Sequence, residues 1–364
     1  MNKKISFPHM GNYYIPFTYF ISNITKCQIL VPPPITKKTI ELGNSHSPDY
    51  VCVPFKYNLG NFIEALDNGA NIIFQAGGGC RYGYYAELQE QILRDLGYEF
   101  EFINFIEGNK ASIKKIYDFA KTKNPKLNIF KFAYHGINTA LMIIAMDKLG
   151  KYPRENMGFE LEKDIFLKTE KEYLNTLKKK KNNPFSIIKN YFKYKHKFKK
   201  IPINKPNHCL KIGIVGELYS IMEPFCNNNM EIKLASYGIE VHRFTTLTYL
   251  LFQKKSNIKK LLKKGKKYLK YHLGADATES VVLSEELAKL GYDGIIHIKS
   301  FGCTPEISAM PILEKISNEY DIPIIYFSFD SQTSDVAIDT RLEAFYDMIL
   351  EKKKYQLKHL KSKK

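Results

Sequence analysis

Three cysteines occupy the same kind of place in this chain, just past a predicted strand and at the start of a predicted helix. Cys52 follows Asp49-Tyr50-Val51 and leads into Val53-Pro54-Phe55-Lys56. Cys80 follows the apolar run Ile72-Ile73-Phe74 and the glycines Gly77-Gly78-Gly79. Cys303 follows Gly294-Ile295-Ile296-His297-Ile298 and leads into Thr304-Pro305-Glu306. Two of the three read Cys-x-Pro, and proline suits the first turn of a helix because the amide it lacks would have no partner there. A thiol at a helix N-terminus faces exposed N–H groups and the positive end of the dipole, which favours its thiolate. Thiolates bind iron–sulfur clusters, and ligands of open α/β sheets gather outside the carboxyl ends of the strands. Three such thiols, from two halves of the chain, point to one metal centre. A 4Fe–4S cluster held by three cysteines leaves one iron without a protein thiolate, open to water or substrate.

Other metals and other cysteines fit less well. Structural zinc takes closely paired ligands such as Cys-x-x-Cys, and none of the six cysteines is so paired. A catalytic cysteine pair or isolated buried thiols are the remaining readings, and they leave three equivalent turns to coincidence. Cys27 and Cys209 read as small buried hydrophobes. Cys226, in the loop after Glu223-Pro224-Phe225, stays open. If it and the others proved essential, a linked double cubane would come within reach of six thiols.

The elements around these residues alternate. Short strands are expected at Ile5-Ser6-Phe7, Ile29-Leu30-Val31, up to Tyr50-Val51, at Asn71 to Gln75 and at Phe100 to Ile103. Helices are expected at Pro16 to Ile24, Asn61 to Leu66 and Tyr84 to Leu96. A second series starts at Lys211-Ile212-Gly213-Ile214-Val215-Gly216-Glu217. It continues with strands at Glu240-Val241-His242, Gly294 to Ile298 and Pro323 to Ser328. Its helices fall at Glu231 to Tyr237, Ser284 to Leu290, Pro305 to about Tyr320 and from Thr340 onward. Strands alternating with helices imply α/β domains with mostly parallel sheets. The expected division is an N-terminal domain over 1–160, a basic helical connector over 161–208, a C-terminal domain over 209–350 and a lysine-rich tail over 351–364. The second series lacks the full Gly-x-Gly-x-x-Gly fingerprint, which argues against a dinucleotide site.

The net charge is +18 at neutral pH. Only Arg81, Arg94, Arg154, Arg243 and Arg341 contribute guanidinium groups to it. Base readout favours arginine, so a basic nucleic-acid-binding protein rests on charge alone. The connector's Lys189-Asn190-Tyr191-Phe192-Lys193-Tyr194-Lys195 reads either as a solvated linker or as a docking surface for an acidic partner or single-stranded nucleic acid. No apolar run approaches the ~18 residues needed to span a bilayer, and no signal peptide is evident. The expected location is cytoplasmic, where cysteines remain thiols or metal ligands.

At its cysteine motifs the sequence resembles a known group. Cys52-Val53-Pro54-Phe55-Lys56, Gly77-Gly78-Gly79-Cys80-Arg81-Tyr82-Gly83-Tyr84-Tyr85 and Phe301-Gly302-Cys303-Thr304-Pro305-Glu306 look like the 2-hydroxyacyl-CoA dehydratase / benzoyl-CoA reductase superfamily. The branch they are most similar to is the one labelled acyl-CoA dehydratase activase-related, or CoA-substrate-specific enzyme activase related. Val215-Gly216-Glu217-Leu218-Tyr219, Glu223-Pro224-Phe225, Phe329-Asp330-Ser331-Gln332-Thr333 and Thr340-Arg341-Leu342-Glu343-Ala344-Phe345 fit it too, so the likeness runs from about Lys4 to Leu350. The resemblance implies two Rossmann-like domains with an iron–sulfur cluster in the cleft between them, ligated by Cys52, Cys80 and Cys303. It implies an ATP-hydrolysing activator, itself an iron–sulfur protein, as the source of low-potential electrons. It also implies reductive or radical dehydration chemistry on a small substrate, a CoA ester in the characterised relatives. An electron-transfer or accessory protein without its own substrate is the alternative. No Walker-type phosphate loop is present in this chain.

Lys56 and Arg81 lie four and one residues after cluster cysteines and are candidates to offset cluster charge or bind an anionic substrate. Glu306, in a first helical turn, is expected to cap the helix, with proton donation as the catalytic alternative. Gln75, Tyr84, Tyr85, Glu217, Asp330 and Gln332 fall at strand ends or helix starts on the expected cleft side. His297 reads as a packed strand residue.

Overall fold

The computed structural model describes residues 3–75, 81–107, 110–179 and 182–362. The chain divides into two compact units, Met1–Met146 with Glu172–Phe192, and Asp147–Lys171 with Lys193–Lys364. The stretch expected as a separate connector is therefore shared between the units, with the divisions falling inside three helices.

In the first unit the elements run β1 (Lys4–Ser6), α1 (Tyr14–Thr25), β2 (Gln28–Ile29), α2 (Lys37–His46), α3 (Val53–Asp67), β3 (Ile72–Gln75), α4 (Tyr85–Asp95), β4 (Glu101–Asn104), the hairpin β5 (Ile106–Glu107) and β6 (Lys110–Ala111), and α5 (Ile113–Lys123). Then come α6 (Ile129–Asn156), α7 (Ile165–Leu177) and α8 (Pro184–Lys199), the three helices that carry the divisions. The main sheet has the order β2-β1-β3-β4, with every pair parallel. Alternation sets its two faces. Ile5, Ile72 and Phe74 pack with Ile21 and Phe105 on one side, while Ile73 packs with Phe55, Leu59 and Phe62 on the other. Glycine lets α2 and α3 approach closely. A Cβ on Gly60 would lie 1.9 Å from the Thr39 carbonyl oxygen, and one on Gly43 would lie 1.7 Å from that of Lys56.

The strand expected to end at Tyr50-Val51 does not form. Val51 N–H donates to the Pro48 carbonyl in a turn linking α2 to α3, so that segment has no ladder partner. Helix α2 stands where none was expected, opened by a reciprocal box between Thr36 and Thr39. By length and composition α6, with the turn that follows it to Phe159, is long and apolar enough to cross a membrane. Part of that length is enclosed by the protein, since Met142, Ile143 and Leu149 are buried.

In the second unit follow β7 (Leu210–Gly216), α9 (Leu218–Met222), α10 (Met230–Ser236), β8 (Ile239–Arg243), α11 (Lys254–Lys264) after a π-helical turn, α12 (Ala277–Lys289), β9 (Gly294–Ser300), α13 (Thr304–Tyr320), β10 (Ile324–Phe329) and α14 (Asp335–Ser362). The sheet order is β10-β9-β7-β8, again all parallel. The residues from 351 to 362, expected as a tail, are the last turns of α14. Both units are Rossmann-like α/β folds, and both follow the same strand order: second, first, third, fourth. The topological switch point, where such sheets bind ligands, thus lies between the first and third strands. Gly216 ends β7 at φ +130°, and a Cβ there would lie 1.8 Å from the Ile298 carbonyl oxygen. Only glycine fits that exit from the sheet.

Candidate functional site

Cys303 stands where the sequence placed it. It is the residue before the first turn of α13, three residues beyond β9, half-buried, with Pro305 inside the first turn. Four residues earlier, Lys299 is buried in β9, and its Nζ donates to Ser328 Oγ at 2.9 Å. Burial pushes the Lys299 ammonium down, against the pull of negative charge on Cys303 and Glu306. Lys299 and Cys303 are thus electrostatic neighbours.

Glu306 does not serve as a cap. Its carboxylate turns inward and is fully buried. Oε2 lies 2.7 Å from His297 Nε2, and Oε1 accepts from Ser280 Oγ at 3.2 Å. His297 is equally buried, with the ring edge-on to Tyr326 and no hydrogen bond at Nδ1. The strand histidine is packed, as expected, but its partner is an ion-forming one.

Beside this pair lies a second group that the sequence reading missed. Lys254 Nζ meets Asp276 Oδ1 at 2.5 Å and Glu279 Oε1 at 3.8 Å. Tyr249 OH donates to Glu279 Oε1 at 3.2 Å, and Leu218 N–H to Asp276 Oδ2 at 3.2 Å. Burial alone would push Lys254 down, but Asp276, Glu279 and Glu306 together raise it. Burial pushes Glu279 up. The signal was present in Asp276-Ala277-Thr278-Glu279 after Gly274, since acidic residues gather in the first turns of helices.

Glu217 leaves β7 and caps α9. Its oxygens accept from Tyr219 N at 2.7 Å, Ser220 N at 3.0 Å and Ser220 Oγ at 2.5 Å. Burial carries its pKa up to about 7 despite those hydrogen bonds, and Asp276 pushes the same way. A carboxyl group with that value can take or release a proton near neutral pH.

In the first unit Cys52 precedes α3, half-buried, with Pro54 in the first turn. Its N–H points to Tyr85 OH at 3.5 Å, and the Tyr85 ring stands edge-on to Phe55 at 4.8 Å. Lys56 is buried, and its ammonium donates to Asn44 Oδ1 at 2.8 Å, toward α2. Gln75 donates to Gln89 Oε1 at 2.6 Å, and Gln89 to the Phe55 carbonyl at 3.2 Å. Tyr84 is exposed. Cys80 lies outside the described residues, as does the side chain of Arg81, whose backbone opens the turn Arg81–Tyr84.

Asp330 Oδ1 accepts from Gln332 N at 2.8 Å and Thr333 Oγ1 at 3.0 Å, which makes it a turn former. Cys27 is half-buried, and Cys209 and Cys226 are buried. Burial, and the Glu240 carboxylate 3.6 Å from the sulfur, push the Cys209 thiol up. That is the opposite of what a thiolate ligand needs. Among the described residues no three His, Cys, Asp or Glu side chains converge as a metal site.

No protein-family model matches the chain, and no curated protein matches its sequence.

Proposed function

We propose that this chain is a cytoplasmic iron–sulfur protein of the 2-hydroxyacyl-CoA dehydratase / benzoyl-CoA reductase type. It accepts low-potential electrons from an ATP-hydrolysing activator and supports reductive or radical dehydration chemistry on a small substrate, a CoA ester being the class the family resemblance suggests. The observation that carries the reading is the half-buried Cys303 at the exit of β9, the third strand of its sheet, at the start of a proline-opened helix. Cys80 follows β3, the third strand of the other sheet, in sequence, and Cys52 starts a proline-opened helix of its own. The donor set suits the group, because three thiolates are soft donors that favour iron and sulfide over magnesium or calcium.

Cys52, Cys80 and Cys303 would hold the cluster, which when bound supplies one-electron transfer. The chain's own residues supply charge and protons. Lys299 offsets negative charge beside Cys303. His297 and Ser280 hold Glu306 in place, and Glu217 is poised to exchange a proton.

Anaerobic preparations should contain iron and sulfide and give a reduced-cluster EPR signal. Cys52→Ala, Cys80→Ala and Cys303→Ala should each lose most of the iron, while Cys27→Ala and Cys209→Ala should keep it. Full iron retention in any of the first three removes that residue from the ligand set. An iron-free wild-type protein, prepared anaerobically with iron and sulfide supplied, sinks the reading. Reduction by an activator ATPase should require MgATP and fail with MgADP. Equal reduction without nucleotide would leave a plain electron carrier.

A further inference from the structure

The first-unit parts of two helices turn apolar side chains to solvent. On α6, Phe130 is 81% exposed, and Tyr134 and Ile137 follow it at spacings of four and three, on one helix face. On α8, Phe185 is 76% exposed, and Ile188 and Phe192 follow at three and four. Helix α8 already has a core face in Ile187, Tyr194 and Phe198, all buried, so its outer stripe is a second apolar face. The stripes lie on neighbouring elements. The Asn182 carbonyl, just before α8, accepts from Asn138 Nδ2 at 3.4 Å and from Tyr19 OH at 3.1 Å. Tyr19 OH also lies 3.1 Å from His135 Nδ1. The start of α8 is thus tied to the turn of α6 that carries Tyr134 and Ile137.

Charge on these segments has one sign. No Asp or Glu occurs between Asp118 and Asp147, or between Glu172 and Glu217. Exposed Lys126, Lys131, Lys178, Lys179 and Lys189 accompany the apolar stripes. A partner must therefore be anionic and must also accept large apolar side chains. Nucleic acid would take the lysines and stack the rings, but Ile137 and Ile188 offer no ring. Protein interfaces are enriched in arginine and need hydrogen bonds. This face has no arginine, and only Tyr134 among its six apolar-stripe residues carries a polar atom. The headgroup layer of an anionic bilayer meets both requirements, because apolar side chains enter the acyl boundary while ammonium groups meet lipid phosphates.

We propose that this face of α6 and α8 binds the surface of an anionic phospholipid bilayer, lying in the headgroup layer without crossing it. The test is co-sedimentation of the full chain with phosphatidylcholine vesicles, with and without phosphatidylglycerol. Binding should require phosphatidylglycerol and weaken as salt is added. The triple variant Phe130→Asn, Phe185→Asn, Phe192→Asn keeps every lysine and should lower vesicle affinity about tenfold or more. Lys131→Glu with Lys189→Glu should lower it by about thirtyfold or more. All five positions are exposed, so folding should be unaffected. Absence of binding to phosphatidylglycerol vesicles overturns the proposal. So does a triple variant that binds as well as the wild type, since the lysines alone would then suffice. If the vesicles are ignored while an oligodeoxythymidylate binds and the triple variant loses it, the face is a nucleic-acid surface and the proposal falls.

Discussion

The two units repeat one strand order and place different chemistry at equivalent points. In the first, the helix entering the third strand, α3, starts at Cys52; in the second, the corresponding helix, α12, starts at Asp276. The carboxyl ends of the sheets differ in the same sense. Gln75, Gln89 and the Phe55 carbonyl form a neutral chain of amides in the first unit. His297, Glu306, Lys254, Asp276 and Glu279 form an ionisable set in the second. A shared scaffold thus fixes positions, while the residue at each position decides between sulfur, neutral hydrogen bonding and charge.

Breaking the ionic interior should cost more than breaking the neutral one. Glu306→Ala leaves His297 buried without its carboxylate, and should lower stability by about 3–5 kcal/mol, the range for half of a buried pair. Glu306→Gln keeps an acceptor and should lose clearly less. Urea unfolding measures both. A loss below about 1 kcal/mol for the alanine variant would place Glu306 among ordinary hydrogen bonds and remove the contrast. In the first unit, Gln89→Ala deprives Gln75 of its acceptor and the Phe55 carbonyl of its side-chain donor. The expected loss is about 1–3 kcal/mol, the net worth of two neutral hydrogen bonds.

What the sequence made legible follows the same division. Mostly apolar strands such as Ile212 to Val215 and Ile295 to Ile298, broken only by His297, announced the buried parallel sheets, and Cys303-Thr304-Pro305 announced its helix start. These are local signals. The Tyr50-Val51 strand was misread because two β-favouring residues cannot show whether a partner strand exists. Helix α2 was missed because Gly43, Asn44 and Ser45 weaken its propensity, and its close approach to α3 is a tertiary effect. Glu306 looked like a cap because its place in the first turn is local information. Its bond to His297 depends on how α13 packs on β9. The helix-start pattern could have shown Asp276 and Glu279, but Lys254 lies more than twenty positions before them, which no spacing rule reveals.

The ionic set should also make the second unit respond to pH. Glu217 has its folded value raised to about 7 from 4.5. The folded state therefore binds this proton more tightly than the unfolded chain does. Its contribution to stability is full below 4.5 and is lost as pH rises through about 7. Glu240 runs the other way. Although burial raises it, hydrogen bonds from Lys205 and His242 hold it down to about 2. Its contribution is present above 4.5 and is lost as pH falls toward 2. Urea midpoints across these windows should therefore fall on both sides of 4.5 on account of these two residues. Glu217→Gln should flatten the upper limb alone. Asp276→Asn removes a like charge and should shift that limb to lower pH, an effect with no counterpart at Cys52. An upper limb unchanged in Glu217→Gln would assign the titration to another group.

The smallest effect is expected at Lys299, and it tests whether the ionic interior is a balanced set or a collection of separate costs. Replacing Lys299 with methionine removes an ammonium that burial already disfavours and keeps most of the side-chain volume. It also removes the donor to Ser328 Oγ, a loss of about 1 kcal/mol. Relief of burial acts in the opposite direction. The two should nearly cancel, so Lys299→Met should change stability by less than about 1 kcal/mol. The thiol should respond more than the fold. Without the cation, negative charge on Cys303 loses a favourable neighbour, so alkylation of Cys303, followed by mass spectrometry, should slow at neutral pH. A large stability loss with unchanged alkylation would reverse the assignment, making Lys299 the counter-ion of Glu306 and not the partner of Cys303.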